Sequence, residues 1–221
     1  MVPLEVAKLC TTLGDAGYEA YLVGGCVRDL IRGIQPKDWD ITTNATPEQI
    51  ISLFPDTFYE NNFGTVGVLD REVTDETLKV VEVTPYRIEG AYSDKRHPDE
   101  VKFSEKLEDD LKRRDFTINA MAYNPHKGQI IDLYKGQEDL QAKVLRTVGD
   151  PAHRLQEDAL RTLRAVRIAT ELGFTIANET AEAIMLHVKL LENISKERIR
   201  DEFTRIIMSP NPMIGMVLCE R

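Results

Sequence analysis

The stretch Glu19-Ala20-Tyr21-Leu22-Val23-Gly24-Gly25-Cys26-Val27-Arg28-Asp29-Leu30-Ile31 decides the fold. Glu19 to Val23 reads as a short strand, Gly24-Gly25 as a tight turn, and Cys26 to Ile31 as a helix stopped at Gly33. A strand that ends in glycines and opens a helix brings backbone N–H groups and the positive end of a helix dipole to one spot. With Arg28 one turn in, that spot suits a triphosphate. The spacing matches neither GxGxxG nor the GK[ST] of a Walker loop, which sets aside the common dinucleotide and P-loop sites. A plain left-handed turn built on two glycines is the competing reading.

Working outward, Asp38 to Thr43 reads as a second strand and carries Asp38-Trp39-Asp40. On a strand, residues i and i+2 share a side, so both carboxylates converge on one point. Magnesium favours a few carboxylate oxygens plus substrate phosphates, and two such ions about 3.5 to 4 Å apart stabilise the attacking and leaving oxygens of a phosphoryl transfer. The alternative is a turn entered at Pro36-Lys37-Asp38. In Val80-Val81-Glu82-Val83-Thr84 the valines at 81 and 83 face one side and Glu82 the other. On an inner strand such a carboxylate needs a partner or a metal; on an edge strand it is simply solvated.

Leu4, Val6, Leu9, Cys10 and Leu13 recur at helical spacing over residues 4 to 13, before Gly14 and Gly17. Thr46-Pro47-Glu48 is a capped helix start, and Val66 to Leu69 and Leu78 to Thr84 are further strands. Arg87 to Phe103 is polar and aperiodic and reads as a long functional loop. Ser104 to Arg113 begins a polar helix, and Ile130 to Leu133 is a last strand. These elements predict an α/β (α+β) domain, a mixed sheet with flanking helices, over residues 1–148. From Asp150 the glycines and β-branched runs thin out, and Arg154 to Leu172, Glu179 to Leu191 and Ser195 to Met208 read as successive helices, which predicts an all-helical domain over 149–221. The segment from Pro212 ends while still apolar, so the native protein is expected to continue past residue 221.

Composition narrows the function. The 221 residues carry a net charge of −9, which argues against indiscriminate nucleic-acid binding and gives weight to local basic clusters. Cys10, Cys26 and Cys219 lie far apart without a CxxC pair, so neither a zinc site nor a disulfide framework is indicated, and a reducing cytoplasm fits. The start of the chain lacks the pattern of a secretory leader, and no apolar run approaches the length of a membrane span.

Two cation clusters stand out. Arg113-Arg114 precedes Asp115-Phe116-Thr117-Ile118-Asn119, and Arg suits bidentate phosphate contact; the pair also suits the carbonyls at a helix C-terminus. Glu157-Asp158-Ala159-Leu160-Arg161-Thr162-Leu163-Arg164-Ala165-Val166-Arg167 reads as one helix with Asp158 and Arg161 as surface neighbours and Arg164 and Arg167 continuing a stripe. A carboxylate beside a guanidinium offers an acceptor next to donors. Cytosine and adenine present an amino donor beside a ring acceptor, whereas guanine and uracil present the reverse, so this pair would accept C and A. The plainer reading is a solvated basic face with Glu157 paired to Arg161 at i, i+4.

Taken in order, Leu22-Val-Gly-Gly-Cys-Val-Arg-Asp29, Asp38-Trp-Asp40, Glu82-Val-Thr, Arg113-Arg-Asp-Phe-Thr-Ile-Asn-Ala120, Glu157-Asp-Ala-Leu-Arg161 and Lys196-Glu-Arg-Ile-Arg200 resemble the motifs of class II tRNA nucleotidyltransferases and bacterial poly(A) polymerases. The resemblance covers nearly the whole chain. It implies a polymerase-β-like nucleotidyltransferase head followed by a helical neck. It also implies magnesium, as two ions, on Asp38 and Asp40, and Glu82 as a third catalytic carboxylate. Phosphates would be held at Gly24, Gly25, Arg28 and Arg114, the base read by Asp158 and Arg161, and the nucleotide supported by Arg164 and Arg167. The implied substrates are CTP, ATP and the tRNA 3′ end, with no stable protein partner. The long segment from Arg87 to Phe103 favours CCA addition over CC addition, and no GRRF-like signature of a poly(A) polymerase is present. A poly(A) polymerase or a CC- or A-adding relative is the nearest alternative. A non-catalytic nucleotide- or RNA-binding module and a small-molecule nucleotidyltransferase are alternatives of other kinds. The body and tail with which the family grips tRNA are missing from these 221 residues.

Overall fold

A computed structural model describes residues 1–59, 64–90 and 101–220, which form two compact units. The first comprises Met1–Ile88, Val101–Arg114 and Asn119–Leu133; the second includes Asp115–Ile118 and Tyr134–Arg221. The change of unit thus falls before residue 148. The segment from 134 onward supplies a helix and a strand that pair with later residues, a tertiary fact that texture along the chain does not carry.

The first unit opens with α1 (Leu4–Asp15), which buries Val6, Cys10 and Leu13 on one stripe. β1 (Ala20–Val23) leads through Gly24 into α2 (Gly25–Ile31), and β2 (Asp40–Thr43) precedes α3 (Pro47–Leu53). The expected cap on α3 is a full capping box: Thr46 Oγ1 accepts from Gln49 N, Gln49 Oε1 accepts from Thr46 N, and Pro47 takes the first turn. β3 (Thr57–Tyr59), β4 (Val66–Leu69), β5 (Val80–Pro85), β6 (Arg87–Glu89), β7 (Val101–Phe103), α4 (Leu107–Lys112), β8 (Met121–Asn124) and β9 (Gln129–Asp132) complete it.

Seven strands of this unit join in the order β3-β4-β5-β2-β1-β8-β9. Neighbours are antiparallel except β2 and β5, which run parallel, so the sheet is mixed as expected. Register pairs Ile41 with Val83, Val83 with Val66, and Val81 with Val68, and this valine-rich face is buried. Packing it away leaves the opposite side of the same strands for polar groups.

Three expectations need correction here. Asp38 lies in a bend, and β2 begins only at Asp40, because Pro36 has no N–H to give to a ladder and the chain is still turning. Arg87 to Phe103 is not loop throughout: its ends, β6 and β7, form a two-stranded sheet, while residues 91–100 lie outside the described residues. β3 and β8 were not expected from the sequence. β3 is a three-residue edge strand, too short to show alternation, and β8 spans four residues, Met121 to Asn124, with no clear period-two pattern.

The second unit contains α5 (Gly136–Ala142), β10 (Val144–Leu145), α6 (Pro151–Glu157), α7 (Arg161–Leu172), β11 (Thr175–Ile176), α8 (Asn178–His187), a 3-10 turn (Val188–Asn193), α9 (Lys196–Ile207) and α10 (Pro212–Glu220). It is not all-helical, since β10 and β11 pair in parallel. Asp150 caps α6 by accepting from His153 N at 2.7 Å, and Gly173, at φ 67°, ends α7. α7, α9 and α10 pack on one another, and Gly215 of α10 lies so close to Ile206 and Thr170 that a Cβ there would collide. No helix among the described residues is long and apolar enough to cross a membrane.

Candidate active site

In the first unit the candidate groups gather around Gly24, whose φ of 78° and ψ of −142° favour glycine. A Cβ there would sit 3.3 Å from Asp40 Oδ2 and 3.3 Å from Arg114 Nη1. The open side of this glycine is therefore where a carboxylate of β2 and a guanidinium following α4 meet. Beside it, a Cβ on Gly25 would lie 3.5 Å from Arg28 Nη2. The strand-turn-helix stretch thus brings Asp40, Arg114 and Arg28 to one small region.

Asp38 is exposed, Trp39 is 1% exposed and Asp40 is half-buried. That alternation sets the indole into the core and the flanking carboxylates away from it, although only Asp40 is in the strand. Asp40 and Glu82 are register partners on parallel strands and share a sheet face. Among the described residues, no group of three or more His, Cys, Asp or Glu is placed to share one ion. Glu82 thus neighbours Asp40 without completing a three-carboxylate cluster. The donor set still fits magnesium, which takes one or two carboxylates and completes its shell with water and substrate phosphates.

Arg28 and Arg114 are both held by polar side chains of the same unit. Asp29 accepts from Arg28 Nε at 2.9 Å and from Nη2 at 3.0 Å, and Asn119 Oδ1 accepts from Nη1 at 3.0 Å. Asp110, fully buried, accepts from Arg114 Nη2 at 2.8 Å and from Arg113 Nη2 at 2.5 Å. Burial pushes the Asp110 carboxyl up, but the Arg113 and Arg114 guanidiniums more than offset it and hold it at about 2. The pair at 113 and 114 therefore answers a carboxylate. Sequence reasoning assigned nothing to Asp29, Asp110 or Asn119. The available signal was the i, i+3 and i, i+4 spacing of Asp110 to the two arginines.

In the second unit the expected single helix over 157–167 is broken. α6 ends at Glu157, Asp158 has φ −129° and ψ 105°, and α7 starts at Arg161. Asp158 leaves the helix because its side chain takes a backbone donor, Leu160 N at 3.0 Å. Its other oxygen accepts from Arg198 Nη2 at 3.1 Å, so Arg198 of α9 fixes the carboxylate. Two acceptor sites are thereby used, and a carboxylate has about four.

The cation stripe is not a solvated face. Arg161, 8% exposed, donates to Glu157 at 2.5 Å and to the Arg154 carbonyl at 2.9 Å, so the expected i, i+4 pair exists, but buried. Arg164 pairs with Asp115 at 2.6 Å. Burial raises the Asp115 carboxyl, and Arg164 more than reverses this, holding it below the usual carboxylate range. Arg167 pairs with Glu202 at 2.5 Å and Glu171 at 2.8 Å.

Fold and site define a class: a polymerase-β-like nucleotidyltransferase head, with a mixed sheet presenting a carboxylate pair beside arginines. The chain belongs to the poly A polymerase head domain family, whose model matches residues 20–146. A second model, described as a probable RNA and SrmB-binding site of polymerase A, matches 173–219. A CCA-adding enzyme of Lactobacillus helveticus is 47% identical over 94% of this chain and 51% of its own length. The CCA-adding enzyme of Bacillus stearothermophilus in complex with CTP superposes with TM-score 0.88 at 39% identity, covering 99% of this chain and 52% of that one. The Thermotoga maritima CCA-adding enzyme complexed with tRNA superposes with TM-score 0.77 at 26% identity, covering 96% and 48%. The chain spans about half the length of the curated relatives it matches.

Proposed function

We propose that this chain is the catalytic head and base-reading neck of a template-independent enzyme that adds CCA to the 3′ end of tRNA from CTP and ATP. The observation that carries the reading is the register pairing of Asp40 with Glu82 beside Gly24, whose open side faces both Asp40 and Arg114. Similarity to CCA-adding enzymes, one bound to CTP and one to tRNA, supports the substrates.

In this reading Asp38 and Asp40 would hold magnesium, as two ions, which would supply charge neutralisation on the triphosphate and lower the pKa of the attacking hydroxyl. Arg28 and Arg114, pre-oriented by Asp29, Asn119 and Asp110, hold phosphate oxygens, with the glycines at 24 and 25 allowing close approach. The 3′ hydroxyl of the RNA attacks the α-phosphate and pyrophosphate leaves. Catalysis is chiefly positioning and charge stabilisation. Asp158 offers its remaining acceptor capacity to the exocyclic amino group of C or A, next to Arg161, while Arg164 and Arg167 support the nucleotide through the framework they brace. A cytoplasmic setting suits the three free cysteines.

The test is incubation of the chain with magnesium, a tRNA lacking its terminal CCA, and each labelled nucleotide singly and together, followed by sequencing of the products. The expected result is two C and then one A, with GTP and UTP refused. A run of A without use of CTP would instead identify a poly(A) polymerase, and unchanged incorporation by Asp38→Asn would overturn the mechanism.

A further inference from the structure

One row of register partners crosses four strands of the head sheet: Asp40 on β2, Glu82 on β5, Gly67 on β4 and Phe58 on β3. Register partners present their side chains to the same face, so Phe58 shares the face of the two carboxylates. The adjoining row is small and polar: Thr42 donates to the Thr84 carbonyl at 3.2 Å, and the Thr65 and Thr84 hydroxyls lie 3.1 Å apart. The tip of the Phe58 ring reaches over Gly67, where an added Cβ would collide with it. Phe58 as a whole residue nonetheless remains 40% exposed. A glycine has thus let an aromatic side chain lean along the sheet toward the carboxylates while keeping a surface open.

We propose that Phe58 is the stacking platform for the terminal base of the acceptor RNA, so that the ring presents the 3′ hydroxyl to the carboxylate pair. The proposal rests on the nucleotidyl-transfer reading and deepens it. Neighbouring strands are about 4.8 Å apart, which puts Gly67, and the ring over it, about 10 Å from Asp40, within reach of a single nucleotide. Asp158 and Arg161 are assigned to the incoming base, which leaves the aromatic on the carboxylate face for the acceptor. Stacking tolerates any base because every base has a π-face. That tolerance suits an acceptor whose last base changes after each addition.

A ring over a glycine also braces a strand pair, and the experiment separates the two roles. A short RNA with 2-aminopurine as its 3′-terminal base is titrated with the full chain, and acceptor KM and CTP KM are measured in parallel. Wild type quenches the probe on binding. Phe58→Leu, which keeps an apolar cover on Gly67 but removes the π-face, loses the quenching and raises acceptor KM about 10-fold with CTP KM unchanged, and Phe58→Trp restores both. Unaltered quenching and acceptor KM in Phe58→Leu, a parallel rise in CTP KM, or an unquenched probe bound to wild type would each overturn the proposal. Failure of the transfer reading shows separately, as absence of incorporation by wild type on every acceptor, while the fluorescence arm still reports stacking.

Discussion

Each unit holds a buried carboxylate that clamps two guanidiniums, and the two clamps close very different lengths of chain. Asp110, with no exposed surface, holds Arg113 and Arg114 three and four positions along the sequence. Glu202, 7% exposed, holds Arg167 at 2.5 Å and lies 3.8 Å from Arg164, partners separated from it by more than thirty residues. The first is a feature of one turn of helix, and its arginines keep 17% and 16% of their side chains exposed. The second exists only once α7 and α9 have packed, and the Arg167 side chain keeps 6%. A local clamp fixes cations that stay partly exposed. A long-range clamp ties a helical unit together.

The comparison breaks most visibly at Glu202. Glu202→Ala leaves Arg167 buried with Glu171 alone and should cost about 3 kcal/mol, read as a fall in the denaturant midpoint. A loss no larger than that of an exposed pair would show that the clamp in the second unit is not what joins α7 to α9.

Asp110→Asn should cost less, about 2 kcal/mol, because water still reaches the two guanidiniums, and it should lower incorporation by freeing Arg114. The same carboxylate makes a pH prediction. Its folded pKa, about 2, lies below the ordinary value near 3.9, so between these limits the unfolded chain binds more protons and stability rises with pH. Its contribution, on the order of 2 kcal/mol, is complete above about pH 4 and disappears as pH falls toward 2. Acid titrations of wild type and Asp110→Asn should therefore converge at the acid end.

The smallest expected effect on stability is at Gly24. Gly24→Ala should cost about 1 kcal/mol for the positive φ. Its consequence for incorporation should be larger than for melting, since the new methyl sits against Asp40 and Arg114. Equal losses in both would mean that the close approach at this glycine serves the fold alone.

Much of the head was legible because its signals are short-range. The strand-turn-helix at 19–31, the box on Thr46 and the valine alternation in β5 are written within a few residues. The helix expected through 157–167 failed because periodicity cannot see that the Asp158 side chain will take Leu160 N and that Arg198 will fix its other oxygen. β3 and β8 failed for a related reason: a strand of three or four residues is stabilised by its neighbours in the sheet and carries little pattern of its own.

The sequence by itself determined which residue types were available for phosphate, metal and base, and where the chain must turn, because carboxylate and guanidinium chemistry and the freedom of glycine are properties of single residues. Tertiary structure alone decided which of the remaining cations would be committed to ion pairs with distant segments. Arg28 and Arg114 are oriented by Asp29 and Asp110 close by in the chain, whereas Arg164 and Arg167 are committed to Asp115 and Glu202 from distant segments. The physical reason is that a charge removed from water must find its partner wherever the fold brings one within reach.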